Sequence, residues 1–202
     1  MKANYLKIVN EIVKELLDNN KNQSIAHRYD HALRVYKRAL KIAKLLKKQG
    51  YKINLEILGI AALLHDIDQP YYDKKGHVKR SLKKAREILE KVGYPKEKME
   101  KVLEIISQHS SEVQNLPSSI EAKILFDADK LDGIGALGIA RVFAFCGQRG
   151  LSIEEAIKWY KSKIKKALPL LQTEIAKKKA EKELRFVYYF IKKIKQEKEN
   201  LI

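Results

Sequence analysis

The sequence predicts an all-α fold, a single compact helical bundle. Apolar residues recur at helical spacing along nearly the whole chain, and no convincing strand interrupts them. Gly and Pro punctuate the periodic stretches without concentrating anywhere. Residues 4–18 place Leu6, Val9, Val13, Leu16 and Leu17 on one stripe. Residues 26–48 continue with Ala32, Val35, Ala39, Ile42, Ala43 and Leu46, and Gly50 ends that helix. Residues 54–67 are almost wholly apolar, the mark of a central buried helix. A loop follows, 68-DQPYYDKKG-76, with Pro70 and Gly76. The next helix spans about 77–92 and stops at Gly93. Pro95 suits the first turn of another, which carries Met99, Val102, Leu103 and Ile106. Residues 110–117 read as a loop and 118–132 as a helix. Gly133, Gly135 and Gly138 then lead into 139-IARVFAF-145. Ser152 with Glu155 forms a capping box for a helix through about Leu168, and Thr173 opens a last helix to about Lys198. One domain over 1–202 is expected. Its core spans about 26–150, with the helix at 4–18 and the helices over 152–198 packed on it.

At 202 residues the chain is long enough for one sizeable core. With 45% hydrophobic and 33% charged residues it is globular and not disordered. No apolar run reaches the ~18 residues of a membrane span. Glu11, Glu15 and Asp18 make the N-terminal segment amphipathic and unlike a signal peptide. A single cysteine, Cys146, excludes an internal disulfide, and a cytoplasmic location is the default expectation. The net charge of +17 attracts anions, so nucleotides, nucleic acid and other phosphate compounds qualify as partners. The charge is spread along the chain. Lysines such as those of 158-KWYKSKIKK-166 read as an exposed, solvated surface in preference to a nucleic-acid groove.

Five histidines stand out: His27, His31, His65, His77 and His109. The segment 61-AALLHDID-68 sets His65 and Asp66 at the end of an apolar helix, and 125-LFDADKLDGIG-135 sets Asp129 inside another. Burying an unpaired charge is costly, and metal coordination is one of the few arrangements that offsets it. His31, His65-Asp66 and Asp129 together resemble the H…HD…D signature of the HD-domain superfamily of all-α, metal-dependent phosphohydrolases. The stretches 27-HRYDHALRVYKRA-39 and 126-FDADKLDGIGALGIARVFAF-145 strengthen the likeness. The second is similar to a branch of small bacterial and archaeal HD hydrolases that includes nucleoside triphosphate pyrophosphatases. The resemblance runs from about His27 to Gly150.

The resemblance implies one divalent metal ion (Mn, Mg, Ni, Co, Fe or Zn) held by His31, His65, Asp66 and Asp129. Two imidazoles and two carboxylates suit such an ion and leave sites for water and substrate. Lone-residue alternatives are a satisfied core histidine for His31 and a helix cap for Asp129. His27 and His31 are four apart, on one helix face, with Arg34 three beyond. His27 is a candidate substrate contact. Arg34 is a candidate phosphate clamp or, alternatively, an ion-pair partner of Asp30 or a structural carboxylate. Asp132 is expected to orient a ligand, contact substrate, or pair with Arg34 or Lys130. Asp127, two before Asp129, projects elsewhere as a surface or capping acid. His77 and His109 are assigned substrate or leaving-group contact, including general acid work, ahead of a second metal or a structural role. Asp68 is a candidate for assisting water, with Lys74 and Lys75 as phosphate-neutralising groups beside Asp73 in a mobile-looking loop. Tyr71 and Tyr72 are read as a base-stacking pair or as ordinary packing. The resemblance implies a phosphate contact for Arg141. Cys146 lacks a histidine partner and is not proposed as a nucleophile.

The leading expectation is a phosphohydrolase acting on a nucleotide or related phosphate compound, with nucleoside triphosphate pyrophosphohydrolysis first and phosphomonoesterase action second. A non-catalytic basic module binding nucleotide or nucleic acid is the alternative from another class. A lyase or oxygenase on the same scaffold needs more ligands than the pattern supplies. A homo-oligomer is compatible with the sequence.

Overall fold

A computed structural model describes residues 4–72, 76–110 and 116–200. Lys74, Lys75 and Asp73 lie outside the described residues. Among the described residues nine α-helices run in chain order: α1 (Tyr5–Asn19), α2 (Tyr29–Lys48), α3 (Leu55–Leu64), α4 (His77–Lys91), α5 (Lys96–Ser107), α6 (Ile120–Asp132), α7 (Gly135–Gln148), α8 (Ile153–Ala167) and α9 (Glu174–Glu199). Among the described residues there is no sheet; an isolated antiparallel bridge joins Gln23 to Pro70.

The helix starts follow from short polar side chains that satisfy otherwise orphaned N–H groups. Asn54 accepts from Glu56 and Ile57, Ser119 from Ala122, and Thr173 from Ala176. Ser152 and Glu155 cap each other reciprocally. Helix α3 is buried from Ile57 to Leu64 and packs against α1, α2, α5 and α6. Helix α2 covers both α3 and α6, α4 lies on α5, and α7 is covered by α8 and α9.

Two expectations are corrected at the helix ends, and both corrections shape the site. The 26–48 segment is broken at Arg28, which is extended, so His27 belongs to a separate 3-10 turn, Ile25–His27. His27 and His31 therefore do not share one helix, although their rings meet edge to face at 5.2 Å. Helix α3 stops at Leu64 and not at residue 67, leaving His65 and Asp66 in the turn beyond it. Helix α8 ends at Ala167, where Pro169 favours a 3-10 turn over Leu168–Leu170.

Gly138 is a site of close approach. A Cβ there would lie 2.4 Å from the Gly133 carbonyl carbon, so only glycine lets the first turn of α7 fold back on the end of α6. Asp127 is fully buried, which corrects the surface reading and keeps the capping one. Its carboxylate accepts from the Gln172 and Thr173 backbone N–H groups at 2.7 and 2.8 Å and from the Thr173 hydroxyl at 2.6 Å. Burial nevertheless holds its pKa above the ordinary value. The start of α9 is thus fastened to α6.

Candidate metal centre

The three helices that pack together around α3 each deliver ligands to one point. His31 comes from the first turn of α2, His65 and Asp66 from the turn after α3, and Asp129 from the last turn of α6. His31 and His65 are fully buried, and Asp66 is 6% exposed. Their ligating atoms, with one from Asp129, all lie within 4.8 Å of one another. His31 Nε2 is 3.3 Å from His65 Nε2, 3.7 Å from Asp66 and 3.6 Å from Asp129. His65 Nε2 is 3.5 Å from Asp66 and 3.8 Å from Asp129. Ligands bound at ~2.1 Å to one ion sit roughly 3.0–3.5 Å apart, so the four need little adjustment to share one.

The tautomers make the case chemical. His31 Nδ1 donates to Asp132 Oδ2 at 2.8 Å, and His65 Nδ1 donates to the Ala62 carbonyl at 2.8 Å. Both acceptors lack hydrogens, so in each neutral ring Nε2 is a lone pair. Two lone pairs and two carboxylates then converge on one point. Only a cation or added protons can reconcile them. Without a metal, protons fill that role. Burial lowers the His65 pKa, but the Asp66 and Asp129 carboxylates outweigh it and leave it raised. Burial raises the Asp66 and Asp129 pKa values, and the imidazoles, with Lys130 beside Asp129, outweigh it and hold both well below the ordinary range.

His65 and His109 use one local device. Each follows a helix C-terminus and turns its Nδ1 back to a carbonyl three residues earlier: Ala62 for His65, Ile106 at 2.7 Å for His109. The helix end thereby gains a side-chain donor for a last-turn carbonyl while Nε2 is aimed outward. His109 Nε2 reaches Asp66 Oδ1 at 3.2 Å, and His77 Nε2 lies 3.8 Å from the same oxygen. Asp66 thus divides its oxygens, Oδ2 toward His31 and His65, Oδ1 toward His77 and His109. Asp66, His77 and His109 form a second group able to hold a cation. The structure brings all five histidines to Asp66, His27 at 4.0 Å included. Burial, joined by His31, Arg141 and Lys163, holds the His27 pKa well below its ordinary value, so this ring is neutral.

Asp132 is fully buried and organises the far side of His31. Besides His31 it meets Arg34 at 3.0 Å, Arg38 at 3.2 Å and Arg141 at 2.9 Å. Burial raises its pKa, but His31 and the arginines prevail and hold it well below the carboxylate range. Lys130 instead pairs with Asp129 at 2.7 Å, so the expected Asp132–Lys130 pair is corrected. Arg34 also pairs with Asp30, the alternative foreseen for it. Arg141 donates to the Ala26 carbonyl as well. Asp68 faces Arg80 at 3.5 Å and joins neither ligand group. Tyr71 and Tyr72 pack edge to face on each other at 5.3 Å. Cys146 is buried, and burial raises its thiol pKa, as expected for an inert cysteine.

Sequence reasoning missed two glutamines. Gln23, fully buried, donates to the His27 and Asp66 carbonyls at 2.7 and 2.9 Å. Gln69, with its amide oriented to suit the network, donates to both Asp66 carboxylate oxygens at 2.9 and 3.0 Å. Ser24 N–H donates to the Gln69 carbonyl at 3.0 Å, binding the two loops together. Gln69 stands three residues after Asp66, a spacing that was readable, whereas the Gln23–Asp66 bond spans 43 residues and leaves no local pattern.

The centre forms the floor of a cavity of about 620 Å³. Asp66, Asp129, His77 and His109 line its floor, and Lys130 and Arg141 its sides. Opposite stands α8, with Trp159, Lys163 and Lys166. Lys158, Lys161, Lys165 and Lys166 are exposed, as the sequence reading expects, and Lys163 and Lys166 also line this cavity. Their signal was present as the spacing of Trp159, Lys163 and Lys166, a stripe on one helix face.

Comparison with known proteins agrees with this geometry. The HD domain family matches residues 28–134, more than half of the chain and all four proposed ligands. The chain belongs to the HD domain family. A curated relative, the uncharacterized protein YpgQ of Bacillus subtilis (strain 168), is 31% identical over 185 residues, 87% of this chain and 86% of its own. The solved structure of Bacillus subtilis YpgQ in complex with ADP superposes with a TM-score of 0.73 at 26% identity, covering 95% of this chain and 97% of that one. An HD-superfamily hydrolase from Bacillus thuringiensis superposes with a TM-score of 0.69 at 30% identity, covering 96% of each chain. This HD-family chain superposes on both structures over nearly its whole length. Among the described residues, no helix is long and apolar enough to cross a membrane.

Proposed function

We propose that the protein is a divalent-metal-dependent phosphohydrolase that cleaves a nucleoside triphosphate to a monophosphate and pyrophosphate. The observation that carries the metal is the meeting of two imidazole lone pairs with two carboxylates at the floor of a nucleotide-sized cavity. A divalent ion held by His31, His65, Asp66 and Asp129 supplies Lewis acidity toward a phosphoryl oxygen and activates water. The protein's own groups do the rest. Asp132 and the Ala62 carbonyl fix the ligand tautomers, so each neutral ring presents its Nε2 lone pair to the ion. His77 and His109, on the far side of Asp66, stand where a proton can be taken from water or given to a departing oxygen. Lys130 and Arg141 add positive charge beside the floor. Attack of water at the α-phosphorus forms one P–O bond and breaks the bond to the bridging oxygen, releasing pyrophosphate.

The ADP held by the YpgQ relative supports a nucleotide ligand. Cavity size supports it too, since about 620 Å³ exceeds what a lone phosphate fills. The test is a metal-by-substrate panel in which phosphate and pyrophosphate release are measured separately. Metal-dependent pyrophosphate release from triphosphates is the expected result. Orthophosphate from monophosphates, with triphosphates ignored, would overturn the substrate and leave the centre standing. Turnover that persists in a chelator would overturn the metal reading. Salt-sensitive nucleotide or nucleic-acid binding without any turnover would instead favour a non-catalytic module.

A further inference from the structure

Helix α8 lies beyond the segment that matches the HD family, which ends at residue 134, yet it closes the cavity over the metal centre. Ala156, Tyr160 and Ile164 bury one stripe of α8. The Tyr160 hydroxyl donates to the Gly133 carbonyl at 3.0 Å, which fastens α8 to the end of α6 just past Asp129. The neighbouring stripe, about a quarter turn around the helix, is thereby held beside the cavity. That stripe carries Trp159, Lys163 and Lys166.

Trp159 has two neighbours at its ring. Phe145 packs at 5.5 Å with planes tilted 34°, and Lys163 Nζ stands 5.1 Å over the ring. Cation–π attraction to Trp159 thus holds Lys163 at the cavity wall. Lys130, tied to Asp129, and Arg141, tied to Asp132, line the same cavity. Lys163 and Lys166 add two further cations to that lining. The space between wall and floor is far larger than one phosphate needs.

We infer that α8 is the specificity element: Lys163 and Lys166 bind the phosphates of an organic polyphosphate that do not sit at the metal floor, and Trp159 positions Lys163. This rests on the phosphohydrolase reading for the orientation of the ligand but not for binding itself.

Calorimetry with ADP, inorganic tripolyphosphate and AMP, in saturating Mg²⁺, tests it. Lys163→Gln and Lys166→Gln are expected to weaken ADP and tripolyphosphate about tenfold each, the size of a lost charge-assisted contact. AMP affinity should change less than about twofold on the same reasoning. Trp159→Leu should weaken ADP binding, with Trp159→Phe restoring part of it because a ring face returns. Lys166 is exposed, so its variant should fold normally. Unchanged ADP and tripolyphosphate affinity in both lysine variants overturns the inference. So does equal loss for AMP and ADP, or a wild-type protein that binds neither polyphosphate. The expected ADP losses with no hydrolysis of any triphosphate would sink the hydrolase reading and keep this one.

Discussion

Asp132→Asn removes one negative charge and nearly nothing else, at a buried point where His31 and three arginines meet. The amide keeps an acceptor for one of the four donors, but its own N–H₂ faces the remaining donors. Contacts to a charged acceptor contribute about 1.5–3 kcal/mol each and are not additive. Breaking a buried ion pair by deleting one partner costs about 3–5 kcal/mol, because the surviving charge stays buried. Arg141 and His31 are the strongest cases, as both are deep in the protein while Arg34 keeps Asp30. A loss of about 3–5 kcal/mol is therefore expected. With a urea slope near ~3 kcal/mol/M for a chain of this size, the unfolding midpoint should fall by about 1–2 M. A ligand histidine that loses its orienting carboxylate should also weaken metal binding about 10–100-fold. Urea unfolding followed by circular dichroism, and competition titration with a metal indicator, give the two numbers. A midpoint shift below about 0.3 M together with unchanged metal affinity would refute the assignment of Asp132 as the organiser of His31.

Asp66→Ala should abolish metal-dependent turnover while leaving the helical circular dichroism spectrum intact, since Asp66 serves both ligand groups; full activity with added metal would disprove it. Arg34→Ala should lower stability and metal affinity more than it raises KM, because the side chain is held by Asp132 and Asp30, whereas Arg141→Ala should raise KM as well, because Arg141 also lines the cavity; steady-state kinetics beside metal titration separates the two. Asp127→Asn should cost about 2–4 kcal/mol by leaving buried donors at the start of α9 poorly satisfied, yet leave kcat unchanged, which thermal unfolding and a turnover assay would read together. Gly138→Ala should destabilise markedly, as the new methyl meets the Gly133 backbone, and a melting temperature equal to the wild type would contradict that packing.

The helices and the ligand set were legible in the amino-acid order because both depend on local rules. Apolar spacing sets which face of α2 or α6 is buried, and Ser152, Glu155 and Thr173 announce helix starts within four residues of themselves. His65-Asp66 at the end of an apolar run, with His31 and Asp129 elsewhere, marked the candidate ligands that the fold brings within reach of one another. The break at Arg28 and the early stop of α3 were not legible. Both points are held by bonds between distant segments: Gln23 bonds to the Asp66 carbonyl, 43 residues on, and the Ser24 N–H bonds to the Gln69 carbonyl.

The sequence by itself determined an all-helical HD-family chain and the four side chains able to hold a metal. Tertiary structure alone decided that Asp132 takes three arginines while Lys130 goes to Asp129, that Asp66 faces two groups of histidines, and that Lys163 and Lys166 look onto the cavity. The physical reason is that periodicity marks a helix face but not what packs opposite it. A lysine stripe facing water and one facing a bound polyphosphate have the same spacing, and only the position of the neighbouring helices tells them apart.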